Sequence, residues 1–144
     1  MAATTQKSVV DTAKAQVLAY NEKNWDKVKA GVVPGLVYDE PATDRKVQGV
    51  DEVLAVWKGW AAALPDSKAT FHSEMASGNT VVLEMTWKGT HKGTLKTGAR
   101  EIPATGKPIE LRSCQIIEVA DDKVKSVRHY FDMGTMLRQI GADH

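Results

Sequence analysis

Apolar residues recur every three or four positions in two stretches of the N-terminal half. In residues 5–22 the repeating positions are Val9, Val10, Ala13, Val17 and Tyr20. From Asp51 to Leu64 they are Val53, Val56, Trp57, Trp60 and Leu64, with Pro65 directly after. This spacing is typical of amphipathic helices that bury one face. Both stretches are therefore predicted to be helices.

Shorter elements are predicted between these two helices. The segment WDKVKA, residues 25–30, follows Asn24 and precedes Gly31. Asparagine is a favoured N-cap residue, so a short second helix is expected there. The segment LVYDEP, residues 36–41, predicts a short strand that ends at its proline. The polar segment ATDRKVQG, residues 42–49, is expected to be a loop.

Beyond Asp66 the apolar residues alternate with polar ones, which indicates strands. The runs KATFHSEMA and TVVLEMTWKG flank the turn SGN and predict a hairpin. The glycine-spaced run THKGTLKTGARE is expected to be a bulged or frayed strand. Over residues 109–141 a strand, a tight turn, a strand and a short helix are predicted from IELRSCQIIEV, ADDK, VKSVRHYF and DMGTMLRQIG.

Helices thus precede antiparallel strands, and this segregation favours an α+β architecture with helices on one face of a curved sheet. The chain has 144 residues and shows no internal repeat or linker. One domain over residues 1–144 is therefore predicted. A curved sheet closed by helices encloses an apolar cavity, which is the default position for a small-molecule site.

Composition and charge exclude several classes of function. Apolar residues are 42% of the chain, and 19 basic residues nearly balance 18 acidic ones. This balance gives no basis for binding nucleic acid or a membrane surface through charge. No apolar run is long enough to cross a membrane, and MAATTQKS lacks the apolar segment of a signal peptide, so a cytoplasmic protein is expected.

Cysteine and histidine give little indication of special chemistry. The single cysteine, Cys114, has no partner for an internal disulfide and is expected to be a small buried residue. The four histidines lie far apart, and neither HExxH nor CxxC occurs. No metal site is therefore expected.

Four runs carry a family resemblance: WKGTHKG, IPATGKPIELRSCQIIEV, DDKVKSVRHYFD and MLRQIG. They resemble the SnoaL-like polyketide cyclases, which have the cone-shaped nuclear transport factor 2-like fold. The resemblance covers residues 8–141. It implies three N-terminal helices on a strongly curved antiparallel or mixed sheet, followed by a short C-terminal helix. It also implies a cofactor-free enzyme that moves protons on a hydrophobic carbonyl compound.

In these cyclases the acid at the end of the last strand is the general acid/base, and the matching residue is Asp132. Two alternatives stay open for its carboxyl. Burial in an apolar cone would raise its pKa and suit proton transfer. Capping the following helix would instead lower the pKa, because the backbone amides bind the charged form.

Strand parity places Arg128 and Tyr130 on the same face as Asp132. Both side chains are candidates to polarise a substrate carbonyl. Alternatively, Arg128 pairs with Asp132, and Tyr130 is a half-buried sheet residue. His129 and Phe131 take the opposite face, where the histidine is expected to be packed; a bulge in this strand would exchange the roles.

Glu40 is a further candidate through a weaker resemblance. The segments NEKNWD and VYDEP are similar to those of ketosteroid isomerases, in which an acid before a proline shuttles the proton. Glu40 occupies that position, although a solvated side chain is the preferred expectation. The isomerases' catalytic tyrosine falls near Gln16, which cannot replace it, so a steroid isomerase is not implied.

The remaining candidate ligand-binding residues are Trp57, Trp60, Trp87 and His91. The three tryptophans are expected either to fill the core or to form the walls of an aromatic pocket. His91 lies in the glycine-rich run GTHKG. A functional loop position and a plain surface position are both compatible with that run.

Three functions follow from these patterns. The first is a cofactor-free cyclase or isomerase, the second a non-catalytic protein that binds an apolar small molecule. The third is a hydrolase like the epoxide hydrolases of this fold, whose Asp-Arg-Asp set is represented only by Asp132 and Arg128. Because no helix remains to cover the outer sheet face, a homodimer through the sheets is also predicted.

Overall fold

A computed structural model describes residues 2–98 and 100–143, with side chains described from residue 9 onward. The elements within these residues are α1 (Ala2–Asn21), α2 (Trp25–Ala30), β1 (Val32–Glu40), a 3-10 turn (Pro41–Thr43), β2 (Arg45–Gln48), α3 (Val50–Ala63), β3 (Lys68–Ser77), β4 (Thr80–Thr90), β5 (Leu95–Thr97), β6 (Arg100–Ile102), β7 (Pro108–Ala120), β8 (Lys123–Phe131) and α4 (Met133–Gln139).

Six strands form one mixed sheet in the order β2-β1-β8-β7-β4-β3. The β1 and β8 strands run parallel, and all other neighbours in this sheet are antiparallel. Helix α1 contacts β3, β4, β7 and β8, while α3 contacts β1 and β2. The predicted α+β architecture, with helices on one face of a curved sheet and a short C-terminal helix, is confirmed.

The helices form where the apolar period predicted them. Helix α1 buries Val9, Ala13, Val17, Ala19 and Tyr20, and α3 buries Val53, Leu54, Trp57 and Ala63. The side chain of Asn24 caps α2 by accepting a hydrogen bond of 3.1 Å from the backbone amide of Lys27. The first three helices therefore follow from periodicity and capping alone.

Two segments differ from the prediction. The expected loop at residues 42–49 contains β2, which pairs with the end of β1 after Asp44 reverses the chain with a φ of 55°. This edge strand is half exposed, so it lacks the apolar signal of a core strand. The expected frayed strand at residues 90–101 is a separate hairpin of β5 and β6.

The inner face of the sheet is set by the alternation along β7. The odd-numbered residues from Ile109 to Val119 are buried, whereas their even-numbered neighbours are exposed or half-buried. Helix α4 closes one end, where Met136 and Ile140 pack with Ile109 and Leu111. A space remains between this end, the sheet and helices α1 and α3.

Candidate functional site

An apolar cavity lies between the helices and the inner face of the sheet. The cavity and the solvent space at its opening together amount to about 630 Å³. It is lined by Gln16, Val17, Tyr20, Tyr38, Trp57, Trp60, Leu64, Ser67, Trp87, Ile109, Leu111, Gln115, His129, Phe131 and Met136. The three tryptophans named from the sequence thus form part of its wall.

Arg128 and Tyr130 share one face of β8, but it is the outer face of the sheet. Both are exposed, whereas Val127 and His129 are buried. Pairing of β8 with β7 is regular from Ser126 onward, so no bulge exchanges the faces. The prediction that Arg128 and Tyr130 point into the cavity is therefore wrong.

Asp132 also lies outside the cavity, as the N-cap of α4. Its carboxylate accepts hydrogen bonds of 2.7 Å from the Thr135 hydroxyl and 3.1 Å from the Gly134 amide. The Thr135 hydroxyl, the Gly134 amide and the nearby Arg138 hold the pKa of this exposed carboxyl below its ordinary value. Of the two alternatives, the structure shows Asp132 as the N-cap of α4. The prediction of a desolvated acid with a raised pKa is wrong.

Glu40 is completely buried beside the cavity, so the expectation of a solvated side chain is wrong. Its Oε1 accepts from the Thr43 hydroxyl at 2.5 Å and from Arg45 Nη2 at 2.7 Å. Its Oε2 accepts from Trp60 Nε1 at 3.0 Å and from the Tyr38 hydroxyl. Burial alone would raise the pKa of Glu40, but these bonds and the charge of Arg45 outweigh it and lower the pKa. Glu40 is therefore a fully engaged carboxylate.

His129 is linked to this carboxylate through Tyr38. The Tyr38 hydroxyl lies 3.0 Å from His129 Nδ1 and donates its proton to Glu40. A hydroxyl has one proton, so Nδ1 carries its own hydrogen and donates to the Tyr38 oxygen. Burial, and then the charge of Glu40, raise the pKa of Tyr38 well above its ordinary value, so the phenol keeps its proton.

The other ring nitrogen of His129, a residue that lines the cavity, is unpaired. Nε2 is buried and has no hydrogen-bond partner among the described residues. Burial lowers the pKa of His129 from 6.5 to about 4, while the charge of Glu40 acts in the opposite direction. At neutral pH the ring is therefore neutral. Its Nε2 lone pair is free to accept a proton from a bound molecule.

Gln115 supplies a donor next to this base. It is the cross-strand partner of His129, and such partners have Cβ atoms about 5 Å apart. Gln16 donates its amide hydrogens to Gln115 Oε1 at 2.9 Å and to the Ala13 carbonyl at 3.1 Å. This orients the Gln115 amide so that its NH₂ group is left for a ligand. A base and a hydrogen-bond donor thus lie side by side on the cavity wall.

His91 has a structural position away from the cavity. It is fully buried, and its Nδ1 accepts from the Thr105 hydroxyl at 3.0 Å and the Thr105 amide at 3.3 Å. Its backbone also bonds Gly106 and Lys107. His91 therefore fixes the turn before β7 and does not line the cavity.

Sequence reasoning missed Tyr38, Gln115 and the role of His129. Polar residues at the inward positions of apolar strands are the signal for such a site. Tyr38 in VYDE and Gln115 in CQIIEV are such residues. To recognise these residues as part of a site, one must know which face of β7 and β8 is covered by helices.

Within the part of the chain that the structure describes, no group of three or more His, Cys, Asp or Glu residues is placed to hold a metal ion. Among the described helices, none combines the length and the apolar character that crossing a membrane requires.

The fold is that of the nuclear transport factor 2 and ketosteroid isomerase-like proteins. One solved structure with a ketosteroid isomerase-like fold, from Catenulispora acidiphila, has a TM-score of 0.76 and 16% identity over 92% of this chain and 95% of that chain. Residues 9–140 match the family model of the SnoaL-like polyketide cyclases. The chain belongs to the SnoaL-like polyketide cyclase family.

Two further solved structures support the fold. A candidate SnoaL-like polyketide cyclase from Jannaschia sp. CCS1 has a TM-score of 0.85 and 16% identity, over 95% of this chain and 94% of that chain. IdmH, a candidate polyketide cyclase from Streptomyces antibioticus, has a TM-score of 0.78 and 24% identity, over 92% of this chain and 98% of that chain. No curated protein matches the sequence.

Proposed function

We propose that this protein is a cofactor-free enzyme of the cyclase or isomerase type that transfers protons on a hydrophobic carbonyl compound. The observation that carries the proposal is the unpaired, buried Nε2 of His129, a residue that lines an apolar cavity. An unpaired buried nitrogen is costly for folding. His91 Nε2 is also unpaired, but of the two residues only His129 lines the cavity, where a ligand could pair with its nitrogen. His129 takes the role that the family resemblance implied for Asp132.

The first step is removal of a proton from the carbon next to the substrate carbonyl. His129 Nε2 accepts the proton, and the electron pair of the C–H bond moves into the new carbon–carbon double bond as the carbonyl oxygen becomes an enolate. The Gln115 amide is placed to donate to that oxygen, where negative charge develops. The imidazolium formed is stabilised through Tyr38 by the Glu40 carboxylate, the one charge that favours it.

The second step returns the proton, so that the enzyme ends in its starting state. In an isomerisation the enolate takes the proton from Nε2 at a different carbon. In a ring closure the enolate carbon attacks a second carbonyl of the same molecule and forms a carbon–carbon bond. The resulting alkoxide then accepts the proton from His129. Neither route requires Asp132 or Arg128, which lie outside the cavity; the hydrolase set that would use them does not assemble there.

The cavity wall suits an aromatic or polycyclic substrate. Trp57 packs edge-on to Tyr38 with ring centres 5.4 Å apart, and Trp60 packs edge-on to Phe131 at 5.9 Å. These rings exclude water and offer flat apolar surfaces. Exclusion of water strengthens the hydrogen bond from Gln115 to a developing enolate, because the local dielectric constant is low.

Exchange of the C1 protons of 2-tetralone in D₂O, followed by proton NMR, tests the proposal. The protein is expected to accelerate exchange over buffer, and His129→Gln is expected to lose about 100-fold or more of that rate. The matched control is Asp132→Asn, which is expected to exchange at the wild-type rate. Calorimetric titration with 2-tetralone checks that both variants still bind.

Two results would oppose the proposal in different ways. If the wild type binds 2-tetralone without accelerating exchange, the cavity is that of a non-catalytic binding protein. If Asp132→Asn loses exchange while His129→Gln retains it, the acid at the end of β8 is the proton shuttle after all.

We also propose that two copies of the chain associate through the outer face of the sheet. No described helix packs on that face, and it exposes Met75 and Tyr130, with 57% and 42% of their surfaces accessible. Pairing of two such sheets would cover them. Light scattering at micromolar concentration is expected to give twice the monomer mass; the monomer mass would contradict the association.

A further inference from the structure

We propose that the hydroxyl groups of Tyr20 and Ser67 form a second oxygen-binding subsite in the cavity. The substrate is then a neutral hydrophobic compound with two oxygen functions, one at the His129 and Gln115 pair and the other at this hydroxyl pair. The inference rests on the proposed function, since it names the substrate class of the same cavity. Nothing in the proton transfer itself requires this second contact.

The two hydroxyls have hydrogen-bonding capacity to spare. Their oxygens lie 2.7 Å apart, both residues line the cavity, and only 7% of Tyr20 and 2% of Ser67 are accessible. Their mutual bond uses one proton and one lone pair, so one proton and three lone pairs remain. No other hydrogen bond to either hydroxyl occurs within the described residues. Burial raises the pKa of Tyr20 to about 12, so the phenol stays protonated.

The pair is held in place from outside the cavity. Lys23 Nζ donates to the backbone carbonyl of Ser67 at 2.5 Å and lies over the ring of Tyr20 at 4.5 Å. The Tyr20 ring also packs edge-on against Trp25 and Trp87, with ring centres 5.7 Å and 5.2 Å away. The hydroxyls are therefore pre-organised, and a ligand pays little entropy for using them.

The spacing of the two subsites follows from α1 and from Trp87. Gln16, which orients Gln115, lies four residues before Tyr20 on the same face of α1, so about 6 Å of helix separates them. The Trp87 ring centre lies 5.2 Å from that of Tyr20 and 6.1 Å from that of His129. The subsites thus flank one indole wall, which fits oxygens on opposite sides of a flat ring system.

The lack of charged side chains in the cavity lining favours a neutral oxygen group on the substrate. Its polar lining consists of Gln16, Tyr20, Tyr38, Ser67, Gln115 and His129, and none of these carries a charge at neutral pH. An anionic carboxylate would find no cationic side chain in this lining, and the Lys23 ammonium beside the hydroxyl pair already donates to the Ser67 carbonyl. The second oxygen is therefore that of a hydroxyl or carbonyl group, and the guanidinium of Arg128 has no part in selecting it.

Calorimetric titration with 2-tetralone and 6-hydroxy-2-tetralone tests the subsite. The second probe adds one ring hydroxyl that is not conjugated with the carbonyl. The wild type is expected to bind the hydroxylated probe about fivefold more tightly, which corresponds to one added hydrogen bond. Tyr20→Phe and Ser67→Ala are each expected to lose this preference while keeping their affinity for 2-tetralone. Tyr130→Phe, on the outer face, is the matched control and is expected to keep it.

Equal affinity of the wild type for the two probes would overturn the inference. So would a preference that survives in both Tyr20→Phe and Ser67→Ala, since retained 2-tetralone binding shows that those variants fold. Exchange of the 2-tetralone C1 protons is measured separately in the wild type, because it depends on His129. Loss of the probe preference in Tyr20→Phe and Ser67→Ala therefore counts for the subsite whether or not the wild type accelerates exchange, while absence of exchange in the wild type counts against the proposed function alone.

Discussion

At the scale of single residues, the chemistry depends on which side of β8 each side chain takes. Alternation along β8 places His129 inside and its neighbours Arg128 and Tyr130 outside. The carboxyl of Asp132 is occupied by its own helix, and asparagine is also a good N-cap residue. This is why Asp132→Asn is expected to leave both folding and proton exchange nearly unchanged.

The site was only partly predictable from the sequence for the same reason. The alternation of side chains along the strand correctly separated Arg128 and Tyr130 from His129. It does not say which of the two strand faces is buried, because either choice satisfies the same alternation. The family resemblance favoured the face of Asp132, and the structure has the other one. Glu40 gave no sign of burial either, because its five hydrogen-bond donors come together only when β1, β2 and α3 meet.

At the scale of elements, the sequence was most informative where a period or a cap was strong. Helices α1, α2 and α3 and the pairs β3–β4 and β7–β8 lie where they were predicted. The edge strand β2 and the β5–β6 hairpin were missed because they are short and carry few apolar residues; in the hairpin strands only Leu95 and Ile102 are buried. Their positions are set by tertiary contacts, such as those that hold the chain after β4 against the end of α3.

Gly93 shows how close that contact is. A Cβ atom there would lie 2.1 Å from the carbonyl oxygen of Ala62, a backbone atom that cannot turn away. We expect Gly93→Ala to lower the free energy of unfolding by about 1–3 kcal/mol in urea titrations. Gly59→Ala in α3, where a Cβ meets nothing within 4 Å, is expected to raise it by up to about 1 kcal/mol. Equal effects of the two substitutions would contradict this close approach.

At the scale of the whole molecule, the buried site makes stability depend on pH. The unfolded chain binds a proton at His129 below pH 6.5, whereas the folded chain binds it only near pH 4. Stability is therefore complete above pH 6.5 and falls as the pH drops toward 4. Folding also lowers the pKa of Glu40, so its contribution to the stability of the protein is likewise lost as the pH falls, at still lower pH.

The expected size of the His129 contribution follows from its pKa shift. Between pH 7 and pH 4 the free energy of unfolding should fall by on the order of 3 kcal/mol through this residue alone. In His129→Gln the fall should be smaller by that amount. Urea titrations at a series of pH values measure both. If the free energy of unfolding of the wild type and of His129→Gln changed with pH in the same way, His129 would titrate normally in the folded state.

Nitrogen-15 NMR of the His129 ring, with Tyr38→Phe for comparison, tests the central claim most directly. The predicted result at pH 7 is a neutral ring with its proton on Nδ1 and a bare Nε2, protonated only near pH 4. In Tyr38→Phe the preference for the Nδ1 proton should weaken, because its acceptor is gone. An imidazolium at pH 7, or a proton on Nε2 in the wild type, would mean that no base faces the cavity and would contradict the account.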